Sequence, residues 1–559
     1  MAHSTTRTRG RTPAPGWNPL TLATLAGLWI ASFGNWPLWR ALARLPEMAS
    51  ARGALFMIGF GIMIAALLTG LLAFLAWRRS IKPAIAFVVL SAAIGAHFMG
   101  AYGVVLDTTM MTNVLQTDAR EVADLLNVQF LLSLLLLAAL PLAWLWRRPI
   151  RRLPFVAQSW RNLLTIVGAL ALIAALIGAL FADLSSTMRN HRSVRYLVNP
   201  VNSFWALGVI AKQSTARPAG PLQPIGLDAR PMARDATERP PLLILVVGET
   251  ARADHFALNG YPRPTNPALS GEDVVSFTDV TSCGTNTAAS LPCMFSALGR
   301  TAFNARDRDQ ENLLDLVQRA GLAVLWIDNQ SGCKGLCDRV PNAQASQPPS
   351  GAAARAPSLC EDGECLDEAL LIDLDQRMAA LPADRKARGT LVVLHQMGSH
   401  GPAYFKRSPA GRKPFLPECS SSVLRECDRS ALVNAYDNSI AYTDHVLGKT
   451  IAWLKTQSQH GRPMMLYVSD HGESLGENNI FLHGLPYALA PKEQTHVPLI
   501  AWFGGGAGSP DGTPTACLRH RRSEPLTHDH LFHTVLGLLR VQAAEYRESL
   551  DAFAPCTKP

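Results

Sequence analysis

Two apolar runs in this chain stop on side chains that hold metals and move protons. LLILVVGET, Leu242 to Thr250, stops on the carboxylate of Glu249, and MMLYVSDHGES stops on Asp470 and His471. Each reads as a buried strand. Open α/β sheets gather their chemistry at strand C-terminal ends. Between these runs, SCGTNTAASLPC, Ser282 to Cys293, sets hydroxyls on a small-residue turn ahead of a helix expected over Ala288–Leu298. Glu249, Thr287, Asp470 and His471 together offer the carboxylate, hydroxyl and imidazole atoms of a Zn2+ site. A threonine hydroxyl is a poor nucleophile at neutral pH, and metal coordination lowers its pKa. A helix N-terminus next to it favours an anion such as phosphate. A threonine in a turn most often only caps a helix; what distinguishes Thr287 is the company of the other three.

Further candidates follow other strands. His400 lies in HQMGSHGPAYFKR and His483 in NNIFLHGLPYALAPKEQ, thirteen residues past Asp470. Neutral imidazoles there suit a second metal or a hydrogen bond to phosphate. One loop histidine is usually neither; two on loops after separate strands leave a functional and a structural reading evenly balanced. His395 is expected to be structural. Ser331 and Lys334, in DNQSGCKGLC, follow another strand, and Lys334 could neutralise phosphate charge. In YGVVLDTTMMTNVLQTDAREV, Asn113, Thr117 and Glu121 share one helical face at i, i+4 and i+8. On spacing alone that face reads as a solvated loop helix.

The elements that must position these residues alternate. β-rich apolar runs recur at Leu242–Val247, Ala323–Ile327, Leu391–Leu394, Met464–Val468 and Pro498–Trp502. Helical patterns lie among them at Asn312–Ala320, Asp367–Leu381 and Ala431–Thr456. This alternation predicts an α/β sandwich with a largely parallel sheet. All 10 cysteines lie from Cys283 onward. Such a split suits an exported, disulfide-stapled domain and argues against the cytosol. Spacing leaves connectivity open, with free thiols or a Cys-type zinc site as alternatives. Short separations favour Cys283–Cys293, Cys333–Cys337, Cys360–Cys365 and Cys419–Cys427, leaving Cys517 with Cys556.

The first third of the 559 residues is different in kind. Five apolar segments are long enough for a ~30 Å bilayer core: Leu20–Trp39, Gly53–Trp77, Pro83–Leu106, Leu126–Trp146 and Leu163–Ala182. The first is weakened by Asn35 and Pro37 and lacks a small-residue cleavage site, so it reads as an anchor. Arg7, Arg9 and Arg11, then Arg78, Arg79 and Lys82, then Arg147, Arg148, Arg151 and Arg152 mark the cytoplasmic side. The acidic loop with Asp107, Asp118, Glu121 and Asp124 lies opposite. The N-terminus is thus expected inside and everything after residue 183 outside. The net charge of +9 is unevenly spread along the chain, and no nucleic-acid partner is expected. The expected domains are a five-helix membrane domain at 1–185, a bridging segment and Pro/Gly/Ala/Arg-rich linker at 186–240, and a catalytic domain at 241–559.

Five stretches carry a resemblance: VVGETARADHFALNGYPRPTNP, SCGTNTAASLPCMFS, DNQSGCKG, HQMGSHGPAYFKR and YVSDHGESLGENNIFLHGLPYALAPKEQ. Together they resemble the lipid A phosphoethanolamine transferases, a family that includes the mobile colistin-resistance enzymes. The resemblance implies a periplasmic domain of alkaline-phosphatase/sulfatase-like fold on a helical membrane domain in the bacterial inner membrane. It implies that Thr287 carries a phosphoethanolamine intermediate, with Glu249, Asp470 and His471 as the other zinc ligands. One Zn2+ is firmly bound, with room for a second. Asn113, Thr117, Glu121, Ser331, Lys334, His400 and His483 are then associated with the substrate or a second zinc, which reverses the bland reading of the Asn113 face. Lys334, His400 and His483 also gain catalytic roles. The implied donor is phosphatidylethanolamine, the acceptor lipid A of lipopolysaccharide, and the protein a monomer. Masking of lipid A charge would give resistance to polymyxins and other cationic peptides. Cysteines around Ser331–Lys334, which some relatives lack, leave open an alternative transferase of phosphoethanolamine or phosphoglycerol to an inner-core sugar or other periplasmic glycan. A sulfatase is disfavoured, because TNTAASLP lacks the C/S-x-P-x-R setting. A scaffold with a dead enzyme fold is disfavoured by the complete ligand set.

Overall fold

The computed structural model describes residues 16–117, 119–191, 193–216, 220–235, 237–347, 359–361, 364–505 and 514–557. Arg7, Arg9, Arg11 and Asp118 lie outside the described residues, as does the side chain of Glu121. The chain divides into two compact units. The first runs to Gly100 and resumes over Val128–Phe204; the second takes Ala101–Asn127 and Trp205–Pro559. The loop between two apolar helices therefore belongs with the second unit.

The helices of interest are α1 (Pro19–Ser32), α2 (Ala51–Ala73), α3 (Ile81–Tyr102), α4 (Thr108–Gln116, in the second unit), α5 (Val128–Trp146) and α6 (Phe155–Asn190). Among the described residues four helices, α2, α3, α5 and α6, are long and apolar enough to cross a bilayer. Four of the five expected spans are met by such helices, and the expected first span, Leu20–Trp39, is not one continuous helix. The 14 residues of α1 make about 21 Å of helix, short of the ~30 Å hydrocarbon core. The chain breaks at Asn35 and resumes as a short helix, Trp36–Leu42, with Pro37 in its first turn. The break is satisfied from within. Asn35 Nδ2 donates to Ile30 O at 2.9 Å and Asn199 O at 2.7 Å, while Asn199 Nδ2 reaches Gly34 O at 2.8 Å and Ala92 O at 2.6 Å. Buried polar groups with their partners cost little. Leu22, Ile30, Phe56, Phe60, Leu68 and Val89 form this unit's core. Along α6, by contrast, Leu164, Val167, Leu170 and Phe181 are exposed, as suits a helix bathed in hydrocarbon.

The second unit is built on a seven-stranded sheet. Its strands are β1 (Pro241–Gly248), β2 (Val274–Phe277), β3 (Ala323–Asp328), β4 (Asn342–Gln344), β5 (Thr390–His395), β6 (Arg462–Ser469) and β7 (Leu499–Phe503). The spatial order is β2-β7-β6-β1-β5-β3-β4. The pairs β6–β1, β1–β5, β5–β3 and β3–β4 are parallel, and β7 joins β6 and β2 antiparallel. The central strands are buried on both faces, which is why they read as unbroken apolar runs rather than alternation. Register matters most for the site. Gly248 pairs with Ser469, and Val247 with His395, so Glu249, Asp470 and Met397 follow neighbouring strands at one level.

Helix α7 (Val201–Ala216) begins in the first unit and continues into the second, where α8 (Thr287–Met294) and α9 (Leu313–Arg319) follow. The longest, α10 (Arg429–Thr456), packs along β6 and buries Tyr436, Asp437, Ile440 and Leu447. The helix expected at Asp367–Leu381 is instead a 3-10 turn, Asp367–Leu371, and a short helix, Leu374–Ala379, parted by Asp373 at φ +53°. The helix expected at Ala288–Leu298 starts one residue earlier and stops at Met294. Five disulfides join Cys283–Cys293, Cys333–Cys337, Cys360–Cys365, Cys419–Cys427 and Cys517–Cys556.

Candidate active site

Glu249 is the first residue past β1, and Asp470 and His471 the first two past β6. Thr287 opens α8, where Asn286 is the N-cap and its side chain accepts from Ala289 N at 2.9 Å. Glu249, Asp470 and His471 are fully buried, and Thr287 is 4% exposed. Thr287 Oγ1 donates to Glu249 Oε1 and Oε2 at 3.1 and 3.0 Å and lies 3.4 Å from His471 Nε2. His471 Nε2 in turn lies 3.2 Å from Glu249 Oε1 and 3.4 Å from Asp470 Oδ2.

These spacings fit a cation. Four ligands at tetrahedral corners, each about 2.0–2.2 Å from one ion, sit about 3.3–3.6 Å apart. His471 Nδ1 donates to Gly472 O at 2.9 Å, which leaves the Nε2 lone pair facing the cluster. Asp470 Oδ1 accepts from the amides of Thr250 and His471 at 3.2 and 2.8 Å, while its buried Oδ2 has no hydrogen-bond partner among the described residues. The charge distribution agrees. Burial and the neighbouring Glu249 charge push the Asp470 carboxyl up to about 7. Burial opposes an imidazolium at His471, yet Asp470 and Glu249 outweigh it and raise that group to about 10. Glu249, which burial alone would raise, is held down to about 2 by His471. A buried cluster in which Asp470 and His471 are drawn toward their protonated forms while Glu249 stays ionised is shaped for positive charge.

Around this centre the histidines form a row. The His471 and His483 rings are 4.4 Å apart, and those of His483 and His400 5.5 Å apart. Burial, reinforced by His471 and His400, pushes His483 well below the usual imidazole range. Ser331 and Lys334 lie elsewhere on the rim. Lys334 Nζ donates to Ser331 Oγ at 2.9 Å and to Gln116 O, the last residue of α4, at 3.4 Å. Among the described hydrogen bonds this pair reaches α4 rather than Thr287. Asn113 lies within α4, and Thr117 caps its end, donating to Asn113 O at 2.8 Å. Helix α4 packs against α8. The Met110 side chain fills the space that a Cβ at Gly484 would need. Asn113, Thr117, Ser331 and Lys334 thus flank the helix that bears Thr287.

Several supporting residues carried no sequence signal. Asp367 accepts from Asn329 Nδ2 at 2.8 Å and from the amides of Met397 and Gly398 at 2.7 and 2.8 Å, fixing the loop after β5. Gly398, at φ +54°, lets that loop lie against the Glu249 backbone, and Ser399 N donates to Glu249 O at 3.0 Å. His528 accepts from Cys283 N at 3.1 Å and donates from Nε2 to Ser469 O at 3.0 Å, tying the turn before α8 to the end of β6. His395 is buried at 3.2 Å from Asp328, below the site. Thr250 holds a left-handed φ of +53°, locked by Tyr436 Oη donating to its carbonyl at 2.7 Å. Such strain clusters at functional turns.

Residues 241–541 match the family model described as Sulfatase, and residues 48–215 match the model described as Phosphoethanolamine transferase EptA/EptB. The phosphatidylethanolamine transferase Mcr-2 of Escherichia coli is 36% identical over 538 residues, spanning 95% of this chain and 97% of the relative. The phosphoethanolamine transferase EptA of Escherichia coli K12 is 36% identical over 553 residues, spanning 97% of this chain and 98% of the relative. Among solved structures, the integral membrane lipooligosaccharide phosphoethanolamine transferase A of Neisseria meningitidis superposes with a TM-score of 0.88 at 33% identity, covering 96% of this chain and 99% of that one.

Proposed function

The chain belongs to the phosphoethanolamine transferase family with a sulfatase-type catalytic domain, and on that premise we propose that it moves phosphoethanolamine from phosphatidylethanolamine to a phosphate of lipid A by way of Thr287. The observation that carries this reading is the placement of Thr287 Oγ1, at a helix N-terminus and within 3.0–3.4 Å of Glu249 and His471. Glu249, Asp470, His471 and Thr287 would hold one Zn2+, which when bound would lower the hydroxyl pKa and offset charge on the transferring phosphoryl oxygens.

In the first step Thr287 Oγ forms a bond to the donor phosphorus, the bond to the glycerol oxygen breaks, and diacylglycerol leaves with the proton given up by Thr287. In the second, a lipid A phosphate oxygen takes the phosphoryl group and Thr287 regains a proton. The first backbone amides of α8 face the anionic group. Lys334 and Ser331 offset phosphate charge. His483, kept neutral by burial, serves with His400 as a hydrogen-bond or proton partner, or as ligand to a second zinc. Asn113, Thr117 and Glu121 hold the donor head group. The product carries an ammonium over each modified phosphate, weakening attraction for polymyxins and other cationic peptides.

We place the protein as a monomer in the bacterial inner membrane, N-terminus inside and catalytic domain in the periplasm. Counting α1 with Trp36–Leu42 as one broken crossing brings the total to five, an odd number that puts the two ends on opposite sides. Intact-mass analysis of the full chain after incubation with phosphatidylethanolamine tests the reading. A phosphoethanolamine adduct is expected on wild type and not on Thr287→Ala. An adduct on both, or lipid A left unmodified in cells making the wild type while core sugar is modified, would reject it.

A further inference from the structure

The loop after β5 that carries His400 ends in Lys406 and Arg407, and both reach the same carboxylate. Asp124, in the short helix Ala119–Leu125 that follows α4 along the chain, pairs with Lys406 through Oδ1 and with Arg407 Nη2 at 3.4 Å through Oδ2. Arg407 is no surface cation: its side chain is 6% exposed and that of Asp124 9%. Its Nε donates to the backbone carbonyl of His400 at 2.9 Å, and its Nη1 to Glu364, beside the Cys360–Cys365 hairpin, at 3.3 Å. One guanidinium thus spends its fork on three chain segments, a use that lysine's point charge could not serve. Burying the charge is tolerable because each direction is answered by an acceptor.

The segment it holds is the one that bears α4. Near its start, Met110 packs onto Gly484, next to His483. At its middle, Lys334 reaches Gln116 O. At its far end, Asp124 is clasped. Resting on the transferase reading above, we infer that Arg407 and Asp124 are a positioning pair for the donor lipid. Through the His400 carbonyl and the Asp124 carboxylate, Arg407 holds His400 on one side of the site and the Asn113–Thr117 helix on the other at a fixed separation. Head-group binding depends on that separation more than the bond-making at Thr287 does. Without the Asp124 carboxylate, Arg407 is left buried with one acceptor fewer, and the segment is free to lift from the catalytic loop.

The test uses the full chain in mixed micelles with phosphatidylethanolamine, comparing wild type, Asp124→Asn, Asp124→Glu and Lys406→Ala. Asp124→Asn is expected to raise KM about tenfold, the loss of one charge-assisted contact, with a smaller fall in kcat. Asp124→Glu should recover most of the loss. Lys406→Ala, which removes only the more exposed of the two partners of Asp124, should cost less than Asp124→Asn. Amide hydrogen exchange supplies a readout that needs no turnover: Asp124→Asn should exchange faster over both 105–117 and 397–407. Unchanged exchange there overturns the clasp. Faster exchange with unchanged KM, or equal losses in KM and kcat that Asp124→Glu does not rescue, overturns its role in donor binding. A wild type that transfers no phosphoethanolamine defeats the transferase reading instead, and exchange still decides on the clasp.

Discussion

Replacing Gly398 by alanine tests whether the site depends on close approach of two backbones. A Cβ built at Gly398 falls 2.6 Å from Glu249 O, 2.9 Å from Glu249 N and 3.1 Å from Glu249 Cβ. These atoms cannot rotate away, because Glu249 O already accepts from Ser399 N and the adjacent Val247 O from Gln396 N. Relief needs roughly 0.5–0.8 Å of movement at Glu249, the residue proposed to feed the metal site, at an overpacking cost of about 1–3 kcal/mol. The left-handed φ of +54° adds about 1–2 kcal/mol for any residue with a Cβ. A shift of that size in a catalytic group lowers the rate about 100-fold. Two controls separate the contributions. Gly260 has φ +97° but open space around it, so Gly260→Ala carries only the backbone strain; Gly411 has neither feature. The assay is phosphoethanolamine transfer, with metal content per chain by elemental mass spectrometry and thermal unfolding alongside. Gly398→Ala with wild-type rate and metal content, and no more destabilisation than Gly260→Ala, would refute the reasoning.

Two more expectations concern pH and metal. Burial lowers the His528 pKa to about 3, so between there and the unfolded value of about 6.5 the unfolded chain binds the proton and the folded chain does not. Its contribution is fully present above pH 6.5 and is lost as pH falls, by up to about 1.4 kcal/mol per unit; denaturant titrations of wild type and His528→Gln at pH 7 and pH 5 should show the smaller pH effect in the variant. Chelation should lower the unfolding temperature by leaving Glu249 and Asp470 buried without their counter-ion, and added Zn2+ at about 100 times its Kd should return about 2.7 kcal/mol; a temperature indifferent to chelator and metal would contradict a structural load on that ion.

Much of the catalytic unit was legible because its central strands are buried on both faces, so apolar runs such as Leu242–Val247 and Met464–Val468 stand out whatever they pair with. The residues ending those runs were legible for the same reason: a charge after a buried strand has little to do but chemistry. The short edge strand Val274–Phe277 was missed, as four residues give too little pattern. The helix expected over Asp367–Leu381 was misjudged because Asp367 turns its carboxylate to the amides of Met397 and Gly398, a bond 30 residues distant that composition cannot register. The break in the first apolar segment was not legible, because Asn35 finds its partners in Ile30 O and in Asn199, 164 residues away, and the helix ends before it.

Residue chemistry by itself determined which atoms are available: an apolar first third, ten cysteines confined to the remainder, and an acid, hydroxyl and imidazole set placed after strands and at a helix start. Those facts are local, since side-chain type and short-range pattern need no partner to be read. Only the tertiary structure decided how they meet. The pairing of Gly248 with Ser469 sets Glu249 beside Asp470, and the left-handed turn at Gly398 lets one loop lie on another. The burial of Arg407 binds Asp124, Glu364 and His400 into one device. Each joins residues far apart in the chain, where register and packing, not composition, set the distances.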